Sequence, residues 1–225
     1  MQCWEYGRFV AGATTRRWSD GAVVTVTKQL EKTQTVSGYT DSLYEVQVAG
    51  QPRTLWGGEL ANAFYPLSDG HVFLTRVIGT GQGKLRQLEA RLHAGGSVLR
   101  FPTVEVQETD RFGYSLGVLA TDGHGLTGVA RIFRLKFTYE ACDYPNGEVV
   151  LLQKGSQLVL GPRALSSANE VSNRTYKLIF PHDPAGRPNQ IREIATLTER
   201  NEKGVTIRQK TTITTYRWTG NRVIK

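Results

Sequence analysis

The chain has 225 residues, of which 39% are hydrophobic, so it is long enough for one large domain or two modest domains. Its net charge of +8 suits an anionic partner, but the basic residues are spread along the sequence without a block of about five like charges. This spread indicates a solvated basic surface and argues against nucleic-acid binding, while the lack of about 20 consecutive apolar residues excludes a membrane-spanning helix.

Residues 1 to 62 have the pattern of short strands separated by turns. Glycine is frequent and methionine nearly absent, whereas valine, threonine and aromatic residues recur in short runs, which favours strands over helices. The stretch YEVQVAGQPRTLWGG predicts a hairpin, because Tyr44, Val46 and Val48 alternate with polar residues before a turn at residues 49–52. We therefore predict a mostly-β protein.

The same residues resemble the bacterial SH3-like (SH3b) family. Five features follow one another in the family's order: an opening strand with small and basic residues, a glycine before a β-rich strand, an aromatic-x-valine strand, a glycine turn and a closing aromatic-glycine pair. They lie at residues 7–17, residues 21–27, residues 44–46, Gly50 and Trp56-Gly57. The chain departs from the family where Arg53-Thr54 replace the usual glycine before the final strand. The resemblance implies a small SH3-like barrel over residues 1 to 62.

Residues 63 to 70, AFYPLSDG, are the predicted domain boundary, because Pro66 and a Ser-Asp-Gly turn interrupt the strand pattern. Residues 63 to 225 predict a second β-rich domain, which would be a sandwich, a barrel or a meander. Its predicted hairpins turn at Lys154-Gly155, residues 201–204 and residues 219–221. Residues 83–93 fit either a short helix, from the spacing of their leucines, or a strand pair, which the β-rich surroundings favour.

One strand of the second domain has a strongly apolar face. In RIFRLKFTYE the side chains of Phe133, Leu135 and Phe137 alternate with those of Arg134 and Lys136. The region after residue 62 also resembles the part that follows SH3-like modules in some uncharacterised exported bacterial proteins. No function follows from that likeness.

The catalytic candidates lie in loops of the second domain. The four histidines are distant from one another in sequence and lack metal-binding motifs, so we predict no metal and no cofactor. Asp122 and His124 in ATDGHGLTG and His182 in FPHDPAGRP lie between glycines or prolines, and a turn is the simpler interpretation of each segment. If the three converged, a hydrolase would be the alternative function. Cys3 and Cys142 either form one disulfide or remain free thiols.

The predicted ligand-binding residues are aromatic and basic side chains of the first 62 residues. A small barrel needs large side chains in its core, so about half of these aromatic residues are assigned to packing. The remainder would line a shallow groove in which rings stack and guanidinium groups hydrogen-bond to a ligand. The candidates are Trp18, Tyr39, Tyr44, Trp56, Arg16 and Arg53.

Together these features predict a non-enzymatic binding or scaffold protein of the bacterial cell envelope. Its expected partner is a peptide, a cell-wall fragment or a neighbouring protein, and no catalytic residue is assigned. The opening segment MQCWEYGRFV is too polar for a signal peptide. A periplasmic or cell-surface location therefore requires that a leader has been removed.

Overall fold

The chain is built of antiparallel β-strands in the computed structural model. No described residue lies in an α-helix, so the prediction of a mostly-β protein is confirmed. Within the described ranges, no helix has the length and apolar character needed to cross a bilayer. The chain divides into two compact units, Met1–Asp110 and Arg111–Lys225. The structure describes residues 14–17, 23–61, 63–80, 85–94, 97–100, 104–107, 114–139 and 146–225.

The first unit begins with a four-stranded meander, called sheet 1, of β1 Thr14–Arg17, β2 Val23–Val36, β3 Tyr39–Val48 and β4 Gln51–Trp56. The predicted hairpin is confirmed as β3 and β4. Its connecting residues Ala49 and Gly50 both have positive φ, as a type I′ turn requires. The described strands of sheet 1 do not close into a barrel, and the SH3-like barrel stays a prediction. One face of sheet 1 packs a small core of Val24, Val26, Val46, Leu55 and Leu60, with Tyr44 and Val48 against it.

Sheet 2 follows in the same unit, with β5 Ala63–Pro66, β6 Val72–Thr80, β7 Leu85–Ala94, β8 Ser97–Arg100 and β9 Val104–Gln107. β7 is central, because it pairs with β6 on one side and with both β8 and β9, end to end, on the other. Leu88, Ala90, Arg91 and Leu92 are buried, so both faces of β7 are covered. The helix alternative for residues 83–93 is therefore wrong, since Leu88 and Leu92, four residues apart, lie on the same face of this strand.

The predicted boundary segment, residues 63–70, consists of β5 and a turn in which Gly70 donates its N–H to the carbonyl of Leu67. β5 pairs with β6, so this segment belongs to sheet 2, and the compact units divide at residue 110. Sheets 1 and 2 share no strand pairing in the described part of the chain. An SH3-like domain that ends at residue 62 stays a prediction.

A nearly buried carboxylate ties β6 to β7 in sheet 2. Glu89 Oε2 accepts hydrogen bonds from Arg76 Nε at 2.7 Å and from a terminal nitrogen of Arg91 at 2.8 Å. Burial alone would raise the pKa of Glu89, but the hydrogen bonds and charges of Arg91 and Arg76 outweigh it and hold the pKa below its ordinary value. Glu89 is therefore ionised at neutral pH and cross-links the two strands.

The second unit is an eight-stranded meander in which each strand pairs with the next along the chain. Its strands are β10 Tyr114–Asp122, β11 Arg131–Tyr139, β12 Asn146–Lys154, β13 Gln157–Ala168, β14 Ser172–Ile179, β15 Gln190–Arg200, β16 Thr206–Trp218 and β17 Val223–Ile224. The three predicted hairpins are confirmed, since their turns connect β12 to β13, β15 to β16 and β16 to β17.

β13 and β14 pair only through Ser167 and Ala168, which divides the meander into a front half, β10–β13, and a back half, β14–β17. The two halves face each other, because a single core cluster takes residues from both. The front half and its loop supply Leu126, Val129, Ile132, Val150, Leu152 and Ala164, and the back half and its loop supply Leu178, Phe180, Ile191 and Trp218. The second unit is therefore a two-layered sheet structure.

The predicted apolar face of β11 is confirmed, with Phe133, Leu135 and Phe137 at most 1% exposed. The opposite face is not simply solvated, since Ile132 on that side is fully buried in the core between the halves. Arg134 follows Ile132 on this inner face, so the side chains between the two halves change from apolar to charged at this position.

Candidate functional site

Tyr39 and Trp56, two of the predicted ligand-binding residues, pack against each other. Their ring centroids are 5.9 Å apart and the ring planes meet at 62°, an edge-on arrangement. Trp56 pairs with Leu43 across the strands, so its ring lies on the side of sheet 1 opposite to Val46 and Leu55. The two residues are 7% and 8% exposed, which leaves little of either ring for a ligand.

The two glycines after Trp56 complete this packing. A Cβ atom at Gly58 would collide with the Trp56 ring, and one at Gly57 would collide with the carboxylate of Asp41. The carboxylate of Glu59 accepts the backbone N–H of Trp56 at 3.2 Å and closes the turn. The Trp-Gly-Gly sequence is thus a close-packed turn that requires both glycines.

The remaining predicted residues of the first unit lie elsewhere. Arg53 is exposed and Tyr44 is half-buried, and both side chains are on the face of sheet 1 opposite to Trp56. Arg16 lies in β1, where only the backbone is described, and Trp18 lies outside the described residues. Sheet 1 therefore separates the predicted set into a buried aromatic pair on one face and a more accessible pair on the other.

The loops predicted for the hydrolase alternative converge within the second unit. His182 donates its backbone N–H to the carbonyl of His124 at 3.1 Å, which joins the loop after β14 to the loop after β10. His124 Nε2 lies 3.7 Å from Asp122 Oδ1, and His124 Nδ1 lies 3.8 Å from Asp183 Oδ1. The loops that carry Asp122, His124 and His182 therefore meet, together with Asp183, but no hydrogen bond joins the side chains of the three predicted residues.

Each carboxylate of this group also has a structural role. Asp122 Oδ1 accepts the backbone N–H of His124 at 2.9 Å, and Asp183 Oδ2 accepts the backbone N–H of Phe180 at 2.7 Å. His124 has φ 45°, in the left-handed region, and its ring lies 5.6 Å from the Phe180 ring. The distances from the His124 ring to both carboxylates exceed a hydrogen bond. The carboxylates fix the two turns, and the imidazole stands between them.

Behind the histidines, Trp218 and Asn189 hold the two loops to the core. Trp218 Nε1 donates to the carbonyl of Thr127 at 2.8 Å, and Asn189 Oδ1 accepts the N–H of Thr127 at 2.9 Å. The carbonyl of Asn189 accepts the N–H of Trp218 at 2.8 Å. Because the indole ring is 3% exposed, these directed bonds fix the loops to a rigid part of the unit.

A second polar group lies between the two halves of the second unit and is absent from the sequence predictions. Arg134 Nε and one terminal nitrogen donate to the two carboxylate oxygens of Glu148, at 2.6 and 2.7 Å. Glu148 is fully buried, and its hydrogen bonds with Arg134 raise the pKa of that guanidinium above its ordinary value. This group, called the inter-sheet cluster, consists of Arg134, Glu148, Tyr176, Glu193 and Tyr216.

The back half contributes a second held carboxylate to the inter-sheet cluster. The hydroxyl of Tyr216 donates to Glu193 Oε2 at 3.0 Å, and a terminal nitrogen of Arg174 lies 3.8 Å from Glu193 Oε1. Burial raises the pKa of Tyr216 to about 12, and the hydrogen bond and charge of Glu193 act in the same direction. Burial, followed by the charge of Glu148, raises the pKa of Tyr176 to about 12.

The inter-sheet cluster is built to hold charge between the two halves. Each oxygen of Glu148 and of Glu193 has an arginine or a tyrosine as its partner, and both tyrosines are protonated at neutral pH. These donors occupy the carboxylate oxygens and hold each side chain in place. The geometry therefore suits a fixed structural charge better than general acid or base catalysis.

Two signals in the sequence point to the inter-sheet cluster. Glu148 is the one charged residue in the run GEVVLL, and a charge inside an otherwise apolar strand needs a partner when the strand is buried. Arg134 occupies the same face of β11 as the core residue Ile132. The pair could have been suspected from these two positions together.

Among the described residues, no group of three or more His, Cys, Asp and Glu side chains is arranged to hold a metal ion. Cys3 and Cys142 lie outside the described residues, and their pairing stays open. No family model matches the chain, and no curated protein or solved structure matches it significantly. Its function has to be inferred from the geometry of the two units and from the SH3-like pattern of residues 1–62.

Proposed function

We propose that this chain is a non-enzymatic binding or scaffold protein of the bacterial cell envelope. In this proposal residues 1–62 form an SH3-like module that contacts a peptide, a cell-wall fragment or a partner protein, in the periplasm or at the cell surface after removal of a leader. Its support is the ordered SH3b-like pattern, which spans the strands of sheet 1.

One observation carries the proposal: β4 presents an exposed strip at an edge of sheet 1. Residues 51–54 are exposed, and β4 pairs only with β3 among the described strands. Arg53 lies on this strip and is the diagonal cross-strand neighbour of Tyr44, because Tyr44 is directly opposite Leu55. A guanidinium group beside an aromatic ring offers stacking and directed hydrogen bonds to a peptide or a sugar.

The buried aromatic pair supports this strip from the other face. Trp56 ends β4, and its ring is enclosed by Tyr39 and by the backbone of Gly58. The end of β4 is fixed by this packing, so the backbone from which Arg53 projects is fixed as well. In this proposal the ligand contacts Arg53 and Tyr44, and the Tyr39–Trp56 pair supports the strand beneath them.

Arg53→Ala is expected to weaken binding about tenfold, because it removes a charged hydrogen-bond donor from an exposed strip without removing any core atom. The measurement is pull-down of the full chain by murein, together with a peptide array. Lys28→Ala is the matched control, since Lys28 is exposed on the same sheet and pairs with Glu45 on the opposite face. Equal retention of wild type and Arg53→Ala would contradict the strip as the ligand site.

A second candidate function, a hydrolase, is favoured by the meeting of the loops that carry Asp122, His124 and His182. His124 would then transfer the proton, and His124→Asn would lower turnover of murein fragments or peptide esters about a hundredfold. Asparagine is chosen because it tolerates the left-handed backbone of this position, and His71→Asn serves as the control. Turnover by wild type no higher than a protein-free blank, or equal turnover by His124→Asn, removes this candidate.

A further inference from the structure

The outer edge of β16 is a long exposed strand edge in the second unit. β16 pairs with β15 along its whole length, but on its other side the described residues pair only at Arg217 and Trp218, with β17. Residues 206–213 are exposed at every position, so both faces of the strand are open along with the edge. Half of the backbone N–H and C=O groups of such an edge point away from the sheet.

The side chains of this edge differ between its two faces. Ile213, 53% exposed, lies on the outer face of the back half, and Ile207, 65% exposed, lies at a β-bulge where it has no partner on β15. Arg208 and Lys210 lie on the other face, which continues into Tyr216 and the inter-sheet cluster, and Arg208 lies 3.7 Å from the carboxylate of Glu199 on β15. An edge with basic residues on one face and apolar residues on the other selects a strand with the complementary alternation.

The charge of the chain is concentrated around this edge. Residues 200–225 contain seven lysines and arginines and one acidic residue, Glu202, whereas the whole chain has 28 basic and 20 acidic residues. These side chains are distributed along β16 and its two flanking turns, from Arg200 and Lys203 at one end of the strand to Arg222 and Lys225 at the other. The sequence contains no block of basic residues in this segment, because threonines and other residues separate them.

We propose that the β16 edge binds an extended acidic segment of a partner protein by strand addition. The partner's backbone pairs with residues 206–216, its acidic side chains face Lys210 and Arg208, and an apolar side chain faces Ile213. The required ligand is a strand in which acidic and apolar residues alternate. A polypeptide is favoured over a nucleic acid, since only a peptide backbone supplies the donors and acceptors that complete a sheet edge.

The test uses the full chain and labelled ten-residue peptides in fluorescence anisotropy. A peptide of alternating glutamate and valine is expected to bind at least about tenfold more tightly than one of alternating lysine and valine. N-methylation of every second residue of the acidic peptide, on the edge that would face β16, is expected to weaken binding at least about tenfold, since it removes the backbone donors. The control is the same peptide with N-methyl groups on the alternate residues, whose N–H groups would point away from β16.

The protein variants separate this edge from general electrostatic attraction. Lys210→Glu is expected to weaken binding of the acidic peptide about tenfold, while Lys28→Glu, the same charge change at an exposed strand position of the first unit, leaves it unchanged. Both positions are exposed, and far-UV circular dichroism verifies that each variant folds.

Three outcomes overturn the proposal. Equal binding of all methylated and unmethylated peptides would show attraction by charge alone. Displacement of the acidic peptide by a single-stranded oligonucleotide at equal charge concentration would show an anion surface without strand addition. Concentration-dependent dimers that Lys210→Glu disrupts and the peptide does not would identify a second copy of the chain as the occupant.

Discussion

Replacing Glu148 by alanine is expected to lower the free energy of unfolding by about 3 kcal/mol, at the lower end of what breaking a buried ion pair costs. Glu148 is fully buried, and its loss leaves the guanidinium of Arg134 between the halves without its bidentate acceptor. The effect is placed at the lower end because the Arg134 side chain is 25% exposed and retains some solvation. The measurement is equilibrium unfolding in urea, followed by circular dichroism.

A double variant separates the charge effect from the loss of packing. Glu148→Leu combined with Arg134→Met is expected to recover at least about half of the loss, because apolar residues of similar volume replace buried ion pairs at little cost. The control is Glu199→Ala, which breaks the exposed Glu199–Arg208 pair at 3.7 Å and is expected to cost less than about 1 kcal/mol. A double variant no more stable than Glu148→Ala would contradict a charge-based explanation.

The hairpins of both units follow from local signals, which explains why sequence reasoning found them. A glycine at positive φ between two alternating segments determines the connection from residues close together in sequence, as at Gly50, Gly155, Gly204 and Gly220. Strand type was harder to predict in β7. Leu85, Leu88 and Leu92 have helical spacing, and although polar and apolar residues alternate from Gln87 to Ala94, the prediction relied on the β-rich surroundings.

The candidate sites depend on contacts that local patterns do not contain. Glu148 and Arg134 meet because β11 and β12 are paired, and Tyr216 meets Glu193 across the pairing of β15 and β16. That these two pairs also share the space between the halves depends on how the meander folds back on itself at β13. Alternation assigns a residue to a face of its strand, but it does not identify what covers that face.

For the loops that carry His124 and His182, the sequence likewise predicts the local structure but not the tertiary contact. Glycine and proline predict turns within residues 120–128 and 180–188, and both segments contain turns in the structure. Their meeting requires hydrogen bonds between residues far apart in the chain, such as that from the His182 N–H to the His124 carbonyl. The residues of these two loops can therefore be predicted from the sequence, whereas the contact between the loops depends on the tertiary fold.

We expect Trp56 to contribute to the stability of the fold and not to ligand binding. Trp56→Ala is expected to lower the free energy of unfolding by about 3 to 5 kcal/mol, the usual cost of removing a large aromatic side chain from a packed site. The ring is 8% exposed and lies against Tyr39 and the backbone of Gly58, so its removal leaves a cavity bounded by a fixed turn. Urea unfolding of the full chain measures the loss, with Arg53→Ala as an exposed control on the same strand.

Trp56→Phe distinguishes a packing residue from a polar contact. The indole Nε1 is buried without a hydrogen-bond partner in the described residues, so phenylalanine removes an unsatisfied donor while it keeps an aromatic ring against Tyr39. The expected loss is about 1 kcal/mol, far below that of Trp56→Ala. If Trp56 were instead the wall of a binding groove, Trp56→Ala would keep the stability of wild type and lose ligand binding. That result would restore Trp56 to the ligand site and move the contact surface to the face of sheet 1 opposite to Arg53.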